Sequence, residues 1–458
     1  MRWRQSIIYL VVLLLAGGYF YYFEVVKKSE KEAAERESKR VLSFQAGSVK
    51  KLEITSAADK TIRIEKDGNW KITEPIEADG DKLTLEGIVA SASNLMMMRE
   101  IAPSPPDLAP FGLKDPLLKV RVLAEDRWHE LLFGENNPTG EGRYAKIATK
   151  PNVFLVAETN FNAINKNLKD VRKKDLFAFQ LEDVTGLEIA WAGGKAFSVA
   201  SEDEGRSWKS PGAPDVPIKP SKVSNVLEQI RWLKATAFLE NRPDNLAAHG
   251  LDPAAVTVGM KLRDERTVSL KLGALDEVKR QVAAVGSELP AVVQVGAGIL
   301  QDIPKDVKGL EDRSLVSIDW DAVKQLKWRK GDAAGHFVRL DKNKWGVKQD
   351  DGQSREFKDS WRAGSLLWDF RDTEFESRTD PPGPAPEKPW GRVQLLDDAR
   401  VMAVISWDKP AAPDGGLVPV RVEKDGAAGE VKIKRDALQR IEDDLDHMVK
   451  AEQAKPAP

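Results

Sequence analysis

A period governs what this chain can fold into. Tryptophans in Asn69-Trp70-Lys71-Ile72, Ser207-Trp208-Lys209 and Lys344-Trp345-Gly346-Val347 lie 138 (208 − 70) and 137 (345 − 208) residues apart. Two such spacings agreeing within one residue mark a unit built repeatedly. Each tryptophan follows two alternating, strand-like segments. These are 49–54 and 61–64, then 184–189 and 196–199, then 323–328 and 336–340. After it, apolar residues recur at helical steps of four and three: Ile88, Ala92, Leu95; Val226, Ile230, Leu233; Ala363, Leu367, Phe370. Such a stripe predicts an amphipathic helix buried against a sheet. A β-leaning segment closes this half, with Ala237-Phe238-Leu239 set against Glu374-Phe375.

Each copy then passes a proline-rich connection to a glycine: Gly112, Gly250 and Gly391. Glycine there is expected to supply a positive φ, and the Asp-Pro of 115–116 and 252–253 to fix the next turn. Hairpins follow at 118–123/128–133, 256–262/267–272 and 393–396/401–406. Further strands are read at 143–148/153–156, 281–285/292–295 and 418–422/430–433, and terminal helices at 158–165, 298–303 and 435–449. The class is α+β: tandem modules of mostly antiparallel sheet, each with one long and one short helix. The periodicity leaves open whether the modules are discrete or share sheets. Boundaries fall at 46–182, 183–321 and 322–450, with 451–458 a disordered tail.

Upstream, Ile7 to Phe23 contains no charge and ends in Tyr19-Phe20-Tyr21-Tyr22-Phe23. That length spans a bilayer core, and the aromatic end suits the headgroup layer. Residues 1–23 are therefore expected to be an uncleaved anchor. A cleaved signal is the alternative, with a usually shorter apolar region. Residues 24–45 read as a charged helical stalk. Lysine and arginine counts favour a cytoplasmic C-terminal flank, with Arg2 and Arg4 before the span and six basic residues from Lys27 to Arg40 after it. Long domains translocate largely regardless of flank charge, so export of the soluble part across the cytoplasmic membrane is expected. Gly18 stands where a lipoprotein box would need cysteine, and the chain has no cysteine. Disulfides, thiolate metal sites and cysteine nucleophiles are excluded with it. A net charge of −2 argues against nucleic acid as a partner.

The series Asn-Trp-Lys-Ile, helix, Phe-Gly-Leu-x-x-Pro and hairpin resembles the DUF4340 family. Its carriers are Trp70, Phe111, Gly112, Leu113 and Pro116, echoed at Trp208, Gly250, Leu251 and Pro253. The resemblance is best over about residues 48–180. The third copy keeps Trp345 and Gly391 but has Arg392 where leucine is expected. Membership implies a bacterial membrane-anchored protein, often encoded beside an ABC-type transport system of the gliding-motility kind. It carries over no catalytic residues.

Signals for chemistry are sparse. His129, His249, His336 and His447 show no zinc-ligand spacing. His129 reads as a strand residue, His249 as a packing residue in Phe111's place, and His336 as a loop-edge residue. His447 follows Glu442, Asp443, Asp444 and Asp446, read as a solvated acidic helix face, with metal ligation the rarer alternative. Gly193-Gly194-Lys195 reads as a hairpin turn. Glu202-Asp203-Glu204 and Asp350-Asp351-Gly352 lack a complete calcium-ligand series and read as turns. Met96-Met97-Met98 reads as a core end, with an adaptable contact surface as its alternative. Trp361 and Trp368, seven apart, with Trp390 and Trp407, are either core or a glycan or peptide platform, core being the commoner role. No catalytic, cofactor or metal residue is assigned. The expected function is a non-enzymatic envelope scaffold or accessory subunit of a transport complex, with protein partners. The alternative is a glycan- or peptide-binding module, and after it a carboxylate-dependent hydrolase.

Overall fold

The computed structural model describes residue 3 and residues 38–57, 60–341, 344–348, 354–356, 361–379, 383, 387–398, 400–410 and 416–453. The anchor at 7–23 and most of the stalk lie outside these residues, as does Asp350-Asp351-Gly352. Among the described residues no helix is long and apolar enough to cross a membrane. The chain divides into two compact units, Met1–Lys195 with Asn225–Ile303, and Ala196–Ser224 with Pro304–Pro458.

In the first copy, β1 (Val49–Ser56), β2 (Ile62–Asp67), β3 (Asn69–Glu74) and β4 (Ala78–Asp79) precede α1 (Lys82–Ser93) and β5 (Arg99–Ala102). Then come β6 (Leu118–Ala124), β7 (Arg127–Asn136), β8 (Arg143–Ile147), β9 (Val153–Val156), α2 (Glu158–Ile164) and α3 (Leu168–Val171). The strands form one sheet in the order β4-β3-β2-β1-β6-β7-β8-β9-β5. Neighbouring strands run antiparallel, as at Leu52↔Val122 between β1 and β6. Because α1 joins edge strand β4 to the opposite edge strand β5, it must cross the sheet. Asp81 caps it, accepting from the Thr84 amide at 2.8 Å. Its stripe of Leu85, Ile88, Val89 and Ala92 is buried with Leu52, Ile54, Trp70, Ile72, Val120 and Phe133.

The second copy has β10 (Val184–Trp191), β11 (Phe197–Ala200), α4 (Pro220–Arg231), β12 (Ala237–Asn241), β13 (Val256–Leu262), β14 (Thr267–Asp276), β15 (Gln281–Gly286), β16 (Leu289–Gly296) and α5 (Ile299–Asp302). Within the first unit its sheet runs β10-β13-β14-β15-β16-β12. The third copy has β17 (Gln325–Lys330), β18 (Ala333–Asp341), β19 (Lys344–Lys348), β20 (Ser354–Glu356), α6 (Trp361–Asp372), β21 (Ser377–Thr379), β22 (Gly391–Leu396), β23 (Val401–Trp407), β24 (Leu417–Lys424), β25 (Ala427–Lys434) and α7 (Arg435–Gln453). Its sheet repeats the first order, β20-β19-β18-β17-β22-β23-β24-β25-β21. The three copies thus own separate sheets. Trp70, Trp208 and Trp345 are all buried.

Four expectations change. The terminal helix α7 is long and runs to Gln453, past the boundary at 450. The strand after α6 is Ser377–Thr379, while Glu374 makes only an isolated bridge to Ser314. Val41, Leu42 and Phe44 are buried in the first core, so that module begins before residue 46. Gly391 is not the counterpart of Gly112. Gly112 and Gly250 have φ of 66° and 67°, but Gly391 opens β22 opposite Lys330, as Leu118 lies opposite Ser56. A Cβ at Gly391 would overlap the Trp407 ring, which is why glycine stands there.

The left-handed turn at Gly112 docks on a second glycine. A Cβ at Gly134 in β7 would overlap the Phe111 carbonyl oxygen. A Cβ at Gly273 in β14 would lie 3.3 Å from the Gly250 oxygen, a tighter contact than most side chains make. Both glycines sit where the register shifts, between Phe133 and Asn136 and between Leu272 and Leu275. Phe111 then packs edge-on to Tyr144, with ring centroids 5.1 Å apart.

The connectors between copies are not free linkers. Residues 171–176 thread between two modules. The Asp81 amide donates to the Val171 oxygen at 2.7 Å, and the Lys173 amide to the Asp79 oxygen at 2.9 Å. Farther on, the Leu176 amide donates to the Leu233 oxygen at 3.2 Å, and the Ala235 amide to the Lys174 oxygen at 2.8 Å. Residues 310–315 repeat the pattern. Lys219 N to Leu310 O is 2.9 Å, Asp312 N to Pro217 O 2.7 Å, Leu315 N to Thr373 O 2.8 Å, and Phe375 N to Arg313 O 2.8 Å. The segment entering the first copy does likewise, with Val41 N to Leu95 O and Met97 N to Lys39 O both 2.8 Å. Leu176 and Leu315 are buried beside these bonds.

Two glycine substitutions test this reading in opposite directions. Gly134→Ala should destabilise by about 1–3 kcal/mol, because the added methyl meets rigid backbone. Gly87→Ala, on the exposed side of α1 with nothing within 4 Å, should stabilise by about 0.5–1 kcal/mol. Denaturant unfolding of both variants decides; equal effects would contradict the account.

Candidate functional site

On α6 the residues Ala363, Leu366, Leu367 and Phe370 are buried at helical spacing. That stripe fixes the helix against the third core, with Trp345, Trp407 and Phe337. The opposite side carries Trp361 and Trp368, which are 57% and 56% exposed. Seven residues are two turns, so the rings share one face about 10 Å apart along the axis. Core packing, the commoner role for such rings, does not hold for this pair. It holds for Trp407, which is buried, while Trp390 is half-buried under the Lys409 ammonium, 5.0 Å from the ring.

Each exposed ring carries a guanidinium. Arg362 lies 4.6 Å from the Trp361 centroid and Arg371 3.8 Å from that of Trp368. Arg362 also pairs with buried Asp444 of α7 at 3.3 Å, and Arg440 of α7 reaches Asp369 of α6 at 3.6 Å. The acidic run on α7 is therefore only half solvated: Asp443 and Asp446 are exposed, while Glu442 and Asp444 are buried. Glu442 is buried, accepting from the Trp407 indole N–H at 3.0 Å and from Arg435 at 3.1 Å. Asp446 pairs with Lys330 at 2.8 Å. The helix turns Glu442 and Asp444 inward, where Arg435 of α7 and Arg362 of α6 meet them. Burial, reinforced by the Asp444 charge and opposed by Arg440, raises the Asp369 carboxyl above the usual range.

The histidines are scattered. His129 of β7 packs against Phe44, with centroids 5.2 Å apart. His249, in Phe111's place before the glycine, is largely covered, and its Nε2 lies 2.6 Å from the Glu240 carboxylate. His336 is a residue of β18, not of a loop edge, and its Nε2 lies 2.9 Å from Gln325 Oε1. Burial, then the charges of Lys327 and Lys348, lower its pKa. His447 Nδ1 lies 2.7 Å from the Asp443 backbone oxygen. Among the described residues no group of three or more His, Asp or Glu side chains could hold a metal ion.

The turn-like motifs behave as turns. Gly193 has φ 74°, and the Gly194 amide closes on the Trp191 oxygen at 3.0 Å. Asp203 accepts from the Ser207 hydroxyl and amide at 2.6 and 2.8 Å, which lowers its pKa to about 2. Met97 packs on the first core and Met98 is exposed.

Two variants probe the α6–α7 pairing. Glu442→Ala should cost about 3 kcal/mol, because it strands the Trp407 indole and a half-paired arginine inside the fold; unchanged stability would contradict this. Asp369→Asn tests the raised pKa. A carboxyl raised in the folded state contributes stability at pH below its unfolded pKa and loses it as pH rises through the folded value. Asp369→Asn should therefore melt above the parent at neutral pH, with the difference vanishing in acid. A lower melting temperature at neutral pH would contradict it.

A family model described as a domain of unknown function, DUF4340, matches residues 70–254 and 208–388. The matches begin 138 residues apart (208 − 70), one repeat period, and each opens on a repeat tryptophan. They extend beyond the 48–180 region of best resemblance, through the second copy and into the third. No curated protein matches the chain. With residues 70–388 covered, more than half its length, the chain belongs to the DUF4340 family.

Proposed function

We propose that the chain is a non-enzymatic scaffold of the bacterial envelope, tethered to the inner membrane by residues 7–23 with its modules outside the cytoplasm. Its partners are protein subunits of an ABC-type transport complex. The observation that carries this reading is the α6 face, where Trp361 and Trp368 stand more than half exposed under Arg362 and Arg371. Tryptophan and arginine dominate the energetics of protein interfaces because they bury large areas with few degrees of freedom. Here both rings are held in place from behind by the α6–α7 ion pairs, so little order remains to be imposed on binding. The buried carboxylates Glu442 and Asp444 serve the same fold, being paired within the third module.

The test is co-purification of the full chain from native membranes in mild detergent. The parent should retain transport-ATPase or permease subunits, identified by mass spectrometry. Trp361→Ala/Trp368→Ala should lose them at unchanged circular dichroism. Retention by the double variant, or a parent that purifies alone, contradicts the proposal.

A further inference from the structure

A second feature lies in the first unit and goes beyond the scaffold reading. The connector 171–176 carries Arg172 into a cleft of about 630 Å³ between the β3–β4 corner and the end of β12. That volume falls within the roughly 300–1,000 Å³ of small-molecule sites. Arg172 is only 5% exposed. Its guanidinium carbon sits 3.6 Å from the Phe238 ring centroid, and Nη1 donates to Asn241 Oδ1 at 2.6 Å. Its buried Nε finds no acceptor among the described residues. Among the described residues no carboxylate pairs with it. Burial alone, with no opposing charge, depresses its pKa to about 10.

A buried guanidinium held rigidly by an amide and a ring, yet lacking a counter-ion, is costly unless something else neutralises it. The second connector shows the contrast. At that junction Glu374 is neutralised within the chain by Lys219 at 3.2 Å and Lys222 at 3.1 Å. In the cleft the acids are Glu77 and Asp79. Glu77 is taken by Arg242 at 2.7 Å, an exposed pair, and Asp79 lies across the strands from Lys71. Three cations therefore face two acids, and Arg172, with no carboxylate partner among the described residues, is the most buried of them.

We propose that this cleft binds a small organic carboxylate, its acid group on the Arg172 guanidinium and its apolar part against Ile76, Leu289 and Pro290. With Nη1 engaged by Asn241 and Nε closed off from solvent, Nη2 is the donor left for a carboxylate oxygen. A dianionic phosphate suits the site less, because Glu77 and Asp79 stand nearby and one buried cation neutralises a single charge. The apolar wall favours an acid with an alkyl chain over acetate.

Calorimetry and thermal unfolding of the full chain in detergent, with hexanoate, acetate and inorganic phosphate as probes, test this. Hexanoate should bind saturably, raise the melting temperature, and bind more tightly than acetate or phosphate. Arg172→Met should weaken hexanoate about tenfold or more, and Arg172→Lys by a smaller factor. Should Arg172→Met fail to fold, the arginine Nε–H resonance of the parent supplies the readout, and it should shift on adding hexanoate. No saturable hexanoate binding, equal affinity in a folded Arg172→Met variant, an unmoved Nε–H resonance, or phosphate binding as tightly as hexanoate would each overturn the proposal.

Discussion

The hydrogen-bonded connector is the constraint on which the rest of this structure depends. A chain that builds one sheet repeatedly must still satisfy the amides and carbonyls between copies. Here residues 171–173 pair with 79–81 beside the start of α1, and residues 174–176 pair with 233–235 beyond α4. Residues 310–315 do the same with 217–219 and 373–375. Each connector completes the entrance of the helix it leaves behind and the exit of the helix it approaches. The long helix crosses its sheet and leaves backbone groups open at both ends, so the connector is part of the module's own structure. Arg172 sits in this strip, which is how a buried cation comes to line a cleft between two sheet edges.

The modules have diverged mainly in how they handle charge and close approach. The first two keep a paired device, a left-handed glycine at 112 or 250 packed on a second glycine at 134 or 273. In the third, Asp408 follows Trp407 where Gly134 and Gly273 follow Phe133 and Leu272. Its hairpin instead opens on Gly391, whose missing side chain admits the Trp407 ring, and that indole is tied to Glu442. One change demanded the others: once tryptophan occupies the space over β22, the neighbouring strand must give up its Cβ and the indole must find an acceptor. The long helix α7 supplies it. The same helix steadies α6 through Asp444 and Arg440, which pair with Arg362 and Asp369 beside the exposed tryptophans.

Much of the fold was legible in the sequence because it repeats. Three tryptophans at one spacing, each between alternating strands and a helical stripe, located the sheets and the long helices within a few residues. The connectors were not legible, since their pairing depends on contacts formed far along the chain. Gly134 and Gly273 were also missed, although their spacing of 139 residues (273 − 134) was there to be read beside Gly112 and Gly250. Glu442 and Asp444 looked like solvent-facing acids because helical periodicity does not reveal which cations wait on the neighbouring elements. Trp361 and Trp368 looked like core because apolar residues usually are; the stripe at 363, 366, 367 and 370 was the signal that they point away. Arg172 offered no signal at all, as one arginine among many basic residues is distinguished only by its burial.

Amide hydrogen exchange resolved to single residues tests the connector account most directly. The amides of Lys173, Leu176, Asp312 and Leu315 should exchange as slowly as those of the central strands β1 and β17, because each donates to a carbonyl of a packed module. Exchange at the rate of an unstructured peptide at these four positions would show that the connectors are ordinary linkers, and the account of how the copies are built would fail.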